Sequence, residues 1–165
     1  MKKRVRTKIG DVFCVALDID TKKYFQYVAN DDSQLGSEVV RVFKKVYDNS
    51  DTPDLEDIIK DGIDFYAHIV IRLGMEMGLW DKAGHAIDVG GSRILFRDTN
   101  DYGTKKGEEQ LRRSERWYVW EVNGDRQYVG SLKGEHKNAF VGLVLSPQGF
   151  LALLKGQKYP PLYPE

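Results

Sequence analysis

Cysteine is all but missing: Cys14 stands alone in 165 residues. One cysteine closes no internal disulfide, so a disulfide-stapled secreted scaffold is excluded and a reducing compartment is expected. Long hydrophobic runs are missing too. The apolar run at residues 12–17 falls far short of the ~18 residues of a membrane helix. It is also too short for a signal-peptide core behind the basic start MKKRVRTKIG. An excess of charge of either sign is absent, with Lys plus Arg at 25 and Asp plus Glu at 25. That balance argues against a chain built to grip nucleic acid, which needs a net basic face, and leaves room only for a local patch. The expectation is a cytoplasmic protein that does not enter the membrane.

Catalytic signatures are equally scarce. His68, His85 and His136 fall in no HxxxH or HExxH spacing, and one cysteine makes no CxxC, so no metal site is predicted. His68 lies inside an apolar run and reads as a hydrogen-bonded core histidine. Cys14, between Phe13 and Val15, reads as a packing residue, because a nucleophilic thiol needs a base and an electropositive setting. No serine sits in a GxSxG elbow, so Gly90-Gly91-Ser92 reads as a turn. Phosphate-binding glycine patterns are absent. Asp18/Asp20 and Asp31/Asp32 are paired carboxylates at strand ends, where turn-forming Asp is ordinary. Neighbours on an extended chain point to opposite faces, so Asp31 and Asp32 are badly placed to share a proton. The reading is a protein that is not an enzyme and carries no cofactor.

What the chain does have is core-forming material: seven Phe, nine Tyr and three Trp. Residues 12–17 and 24–29 read as two strands around a polar turn. Residues 37–47 suit a helix face or a strand, and the β-branched Val39, Val40 and Val42 favour the strand. Thr52-Pro53 followed by acids starts a helix with Leu55, Ile58 and Ile59 on one face, stopped by Gly62. Residues 65–73 read as a core strand, with Gly74 and Gly78 as turn punctuation. Residues 93–97 form a short strand and residues 99–110 an exposed loop. Residues 117–122 alternate strongly, Asn123-Gly124 demands positive φ, and residues 126–130 return as a hairpin. Ser146-Pro147 opens a last helix with a Phe150, Leu153, Leu154 stripe closed by Gly156. The prolines of the tail extend it.

No repeat, linker or composition break divides the chain, so residues 1–165 read as a single domain. The fold class is α+β: a mainly antiparallel twisted β-sheet or partly open β-barrel with two short helices.

Two charged features remain. Asp48, Asp51, Asp54, Glu56, Asp57, Asp61 and Asp64 form an acidic segment relieved only by Lys60. It is either a solvated helix with dipole-favouring acids or an acidic face for a basic partner. Arg112, Arg113 and Arg116 precede Trp117, Tyr118 and Trp120. Such a cluster is either a hairpin core with arginines outside or a stacking platform for single-stranded nucleic acid. Trp117 and Trp120 face opposite sides of a strand, so an exposed Trp is expected as an interface anchor.

The segments KIGDVFCVAL, KYFQYVAND, VVRVFKK, FYAHIVI, GLWDKAG, LFRDTNDYG and WYVWEVNG together resemble the immunity protein 26 family of bacterial polymorphic toxin systems. The likeness runs from about Lys8 to Gly156 and rests on structural segments rather than catalytic ones. It implies a small, mainly β cytoplasmic protein that neutralises a cognate protein toxin by binding it. On that reading Asp51, Asp54, Glu56, Asp57 and Asp61 steer the protein to a basic toxin site, and Trp117 or Trp120 anchors it. Some members of that family are labelled phosphotriesterase-like, and the metal-ligand histidine spacing such an activity needs is not present here.

Overall fold

The computed structural model describes residues 5–91, 93–101, 106–109 and 111–158. Part of the 99–110 loop, Ser92 of the glycine turn and the proline tail from Tyr159 onward lie outside the described residues.

The chain begins as a hairpin. β1 (Asp11–Ala16) pairs antiparallel with β2 (Thr21–Asp31). Phe13 lies opposite Phe25, and their rings stack at 5.1 Å. The run at 12–17 is continuously apolar because β1 is buried on both faces: Val12 looks to one cluster, Phe13 and Val15 to another. β3 (Ser37–Phe43) settles the ambiguous segment as strand and pairs with β2. β4 (Tyr47–Asp48) adds a short rung to the start of β2. α1 (Leu55–Lys60) follows, with Ile58 buried beneath it. β5 (Ile63–Ile69) then pairs with β3 along its length.

The expected strand at 65–73 stops at Ile69. α2 (Ile71–Glu76) takes over, a third short helix beside the two the sequence announces. Its first free N–H, on Ile71, is answered by Oε2 of Glu38 at 2.9 Å, a cap supplied from β3. Gly74 is a packing residue rather than turn punctuation. A Cβ there would lie 1.9 Å from the Trp80 ring, which occupies the space instead. Trp80 opens β6 (Trp80–His85), an edge strand on β1. The sequence hides β6 because Trp80 is its only large apolar residue and Asp81, Lys82, Ala83 and His85 are exposed.

β7 (Leu95–Thr99), β8 (Trp117–Glu121) and β9 (Gln127–Gly130) form an antiparallel meander. At the β8–β9 turn Asn123 has φ 61°, and Gly124 N–H donates to the Glu121 carbonyl at 2.8 Å. A 3-10 turn (Gly134–Asn138) leads to β10 (Phe140–Val141) and β11 (Val144–Leu145). α3 (Pro147–Leu154) ends the described chain. Ser146 caps it by accepting the Gly149 N–H at 3.0 Å, and Gly156 takes φ 85° just beyond it.

Among the described residues the strands form two sheets. The first has the order β11-β5-β3-β2-β1-β6 with β4 on β2, and the second has the order β10-β7-β8-β9. The pairings are antiparallel apart from the short β10–β7 and β11–β5 ladders. Neither sheet closes into a barrel, so the architecture is α+β and mainly antiparallel. One face of the first sheet carries the largest core, where Phe25, Trp80 and Phe150 meet edge to face. The opposite face is covered at one end by α1 and at the other by the second sheet. No helix among the described residues is long and apolar enough to cross a membrane.

Candidate functional site

The acidic segment wraps the end of the first sheet that α1 covers. Helix α1 is tied down by Ile58, with Leu55 and Ile59 half-buried, against Val12, Tyr24, Phe43 and Tyr47. That burial fixes which acids point outward. Asp51, Asp54, Glu56 and Asp57 are exposed. Asp54 occupies the N-cap position without making a side-chain capping bond. Glu56 meets Lys60 at 3.6 Å, an exposed i,i+4 pair of small energetic weight. Asp61 departs from the expected face: it is half-buried and turned to the backbone. Its Oδ2 accepts the Lys45 N–H at 2.7 Å and its Oδ1 the Gly62 N–H at 2.8 Å. Asp61 therefore closes the helix and docks it on the β3–β4 connection. The acids act together on Tyr47, whose hydroxyl is pushed above its ordinary value first by burial and then by Asp61, Asp57 and Asp51.

A second loop completes this surface. In the β1–β2 turn, Asp18 Oδ1 accepts the N–H groups of Asp20 and Thr21 and the Thr21 hydroxyl, which holds the Asp18 carboxyl below the usual carboxylate range. Asn49 Nδ2 donates to the Ile19 carbonyl at 2.6 Å, and Asn49 N–H donates to the Asp20 carbonyl at 2.8 Å. Lys22 Nζ donates to the carbonyls of Asn49 and Asp51. The two turns are thus laced together, and they hold Ile19 in the open at 91% exposure. The sequence reading missed Ile19. Its only signal was a β-branched apolar residue inside a run of Asp.

The expected Trp anchor is corrected. Trp117 is 1% exposed and Trp120 is 3% exposed. They do point to opposite sides of β8, but both sides are covered. Trp120 faces the first sheet with Phe96, Val28 and Val39, while Trp117 packs with Val119 and Leu132 under the segment after β9. Each indole N–H is satisfied internally, Trp117 Nε1 by the Ser114 carbonyl at 2.7 Å and Trp120 Nε1 by Asp31 Oδ2 at 2.9 Å. The exposed aromatic of this hairpin is Tyr128, set edge-on to Tyr118, with the Arg126 guanidinium 4.2 Å over the Tyr118 ring. Arg112, Arg113 and Arg116 are exposed beside it, yet Arg113 meets Glu115 and Arg126 meets Asp98.

The histidines occupy separate settings. His68 is fully buried on β5, with Nε2 at 2.8 Å from Asp31 Oδ2 and its ring 4.1 Å from that of Phe96. This is the hydrogen-bonded core histidine the apolar run suggests. Burial holds its pKa below the ordinary value against the pull of Asp31, so the neutral ring donates from Nε2. His85 Nδ1 and Lys82 Nζ share Oδ1 of the buried Asp11 at 2.9 and 2.8 Å. His136 lies in the 3-10 turn. Among the described residues no group of three His, Cys, Asp or Glu is arranged to hold a metal. Cys14 is half-buried, and its thiol is pushed up by burial, the opposite of what a nucleophile needs.

Scans against protein-family models, curated proteins and solved structures find no match to this chain.

Proposed function

We propose that this chain is a cytoplasmic immunity protein, which binds and neutralises a cognate protein toxin by occluding it. The observation that carries the reading is an exposed apolar residue on a turn bonded to the start of the acidic segment. Ile19 stands 91% exposed on a turn cross-braced by Asn49 and Lys22, and the segment that follows Asn49 carries Asp51, Asp54, Glu56 and Asp57 as exposed carboxylates. Apolar anchors bordered by polar residues recur in specific interfaces. The exposed acids attract a basic partner and raise the rate of encounter. A toxin whose active groove is positive, as in an enzyme that cuts nucleic acid, is the partner such a surface fits. The resemblance to the immunity protein 26 family supports the same reading.

The test is protection. The tagged chain is used to recover its protein partner from its native cells, and survival and partner activity are measured with the wild type and with Asp54→Lys/Glu56→Lys/Asp57→Lys. Full protection and salt-independent association by the triple variant would remove the acidic face from the reading. No binding by the wild type would remove the function.

A second reading, a single-stranded nucleic-acid-binding β domain, draws on the Tyr118, Tyr128 and Arg126 stack. It ranks lower because acids neutralise the neighbouring cations: Arg93 is bound by Glu121 and Glu135, Arg113 by Glu115 and Arg126 by Asp98. A short oligonucleotide that leaves tyrosine and tryptophan emission unchanged at low salt removes it.

A further inference from the structure

Three titratable side chains meet where β6 pairs with β1. The carboxylate of Asp11 is fully buried. Its Oδ2 accepts the Lys8 N–H at 3.0 Å, and its Oδ1 receives Lys82 Nζ at 2.8 Å and His85 Nδ1 at 2.9 Å. Residues three apart on a regular strand point to opposite faces, so Lys82 and His85 would not reach one oxygen from a regular β6. A bulge brings them together. Val12 is paired with Gly84 and Phe13 with Lys82, which leaves Ala83 as an extra residue in β6. Bulges re-aim side chains in this way and are over-represented next to active sites. Asp81 is paired with Cys14 and so stands on the face opposite to Phe13 and Lys82.

Burial alone would raise the Asp11 carboxyl, but bonds from Lys82, the Lys8 N–H and His85 outweigh it and hold it below its ordinary value. An ionised carboxylate only accepts, so the neutral His85 ring donates from Nδ1 and carries its lone pair on Nε2. The ring lies against Gly10, where a Cβ would come within 2.6 Å of Cε1. A buried acid and a glycine thus set its place together. Nε2 has no hydrogen-bond partner among the described residues, and the Lys82 and His85 side chains are 38% and 34% exposed. Lys82 offsets the charge of Asp11, so the pair does not repel an anion. The other histidines lack this arrangement. His68 is fully buried, and His136, in the 3-10 turn, is bonded to no carboxylate among the described residues.

We propose that His85 is a nucleophilic modification site, which takes a phosphoryl group on Nε2 from a donor of the phosphoramidate class. The Nε2 lone pair forms the new P–N bond while the donor's own P–N bond breaks. The donor's protonated nitrogen departs as a neutral amine with the bonding pair, so nothing is oxidised or reduced. Nδ1 keeps its proton, the ring becomes cationic, and the Asp11 carboxylate stands against that charge. The site uses none of the acidic-face residues and stands apart from toxin binding.

The experiment treats the folded full chain with potassium phosphoramidate and follows each histidine by mass spectrometry of its peptides, with phosphorus NMR of the intact protein. His85 should be phosphorylated about tenfold faster than His136, because a carboxylate-bound imidazole is more basic and is held in one tautomer. The phosphoryl group should sit on Nε2, since Asp11 occupies Nδ1. In the urea-unfolded chain the two histidines should react alike. His85→Asn should remove the fast phase, and Asp11→Asn, where it folds, should bring His85 down to the rate of His136. Equal rates in the folded chain, an Nδ1 product, or a preference for His85 that survives unfolding would each overturn the proposal.

Discussion

The indole N–H of Trp120 donates to Oδ2 of Asp31 at 2.9 Å, across 89 positions of sequence. That bond fastens the second sheet to the end of β2. The same carboxylate oxygen receives His68 Nε2 at 2.8 Å, and Oδ1 receives the Asn123 N–H at 3.2 Å. One fully buried carboxylate thereby joins β2, β5, β8 and the β8–β9 turn. Asn123 Nδ2 adds a bond to the Asn30 carbonyl at 2.8 Å. Trp120 is thus a structural residue, and the two sheets are held by polar bonds as well as by packing.

Trp120→Phe keeps the ring and deletes the donor. It should lower stability by about 1–3 kcal/mol, the cost of a buried acceptor losing one partner. Asp31→Ala removes the acceptor of three donors and should cost more, about 3–5 kcal/mol, as for breaking a buried charged network. Urea unfolding followed by tryptophan emission measures both. Equal, near-zero effects would show that packing alone joins the sheets.

The same network sets the response to acid. Burial alone would raise the Asp31 carboxyl, but bonds from Trp120, His68 and Asn123 outweigh it and hold it below its ordinary 3.8. Its stabilisation is therefore complete above that value and is lost as pH falls through the lower folded value. His68 acts earlier. Its folded pKa lies below the ordinary 6.5, so on acidification the unfolded chain takes up the proton first. Stability should begin to fall near pH 6.5 as the unfolded chain takes up this proton. In His68→Gln the slope between pH 6.5 and 5 should flatten, and a pH series of urea midpoints reads it directly.

Gly74→Ala should destabilise although alanine favours helices by about 1 kcal/mol over glycine. The new Cβ would lie 1.9 Å from the Trp80 ring, in a core that also holds Phe25 and Phe150. Overpacking of this kind costs about 1–3 kcal/mol. A lower thermal midpoint with altered near-UV circular dichroism of Trp80 is the expected result.

Reversal of Asp54, Glu56 and Asp57 to lysine should leave folding nearly untouched, within about 0.5 kcal/mol for each site, because all three are exposed. On the proposed immunity function, its effect should appear in association with a basic protein partner, as a slower on-rate at low salt that converges with wild type at high salt. Ile19→Ala should act on dissociation instead, since an anchor leaving its socket sets the off-rate. Surface plasmon resonance at two salt concentrations separates the two effects.

The residues alone determined the parts of this protein that depend on local chemistry. The β1–β2 hairpin follows from an apolar run, a turn of Asp and a β-prone return. The helix after Pro53 and the one capped by Ser146 follow from their first turns. The β8–β9 hairpin follows from alternation ending in Asn123-Gly124, and the core role of His68 follows from its apolar neighbours. Only the tertiary structure decided the rest, and in each case the reason is a partner far away in the chain. Helix α2 exists where a strand was expected because Glu38 caps it and Trp80 fills the space over Gly74. Trp117 and Trp120 lie inside because two separate layers cover the two faces of one strand. Asp61 leaves the acidic face because backbone donors at Lys45 and Gly62 claim its oxygens. Ile19 stands out because Asn49 and Lys22 hold its turn away from the core. Periodicity records which side of an element is apolar, whereas exposure depends on what the rest of the chain lays over that side.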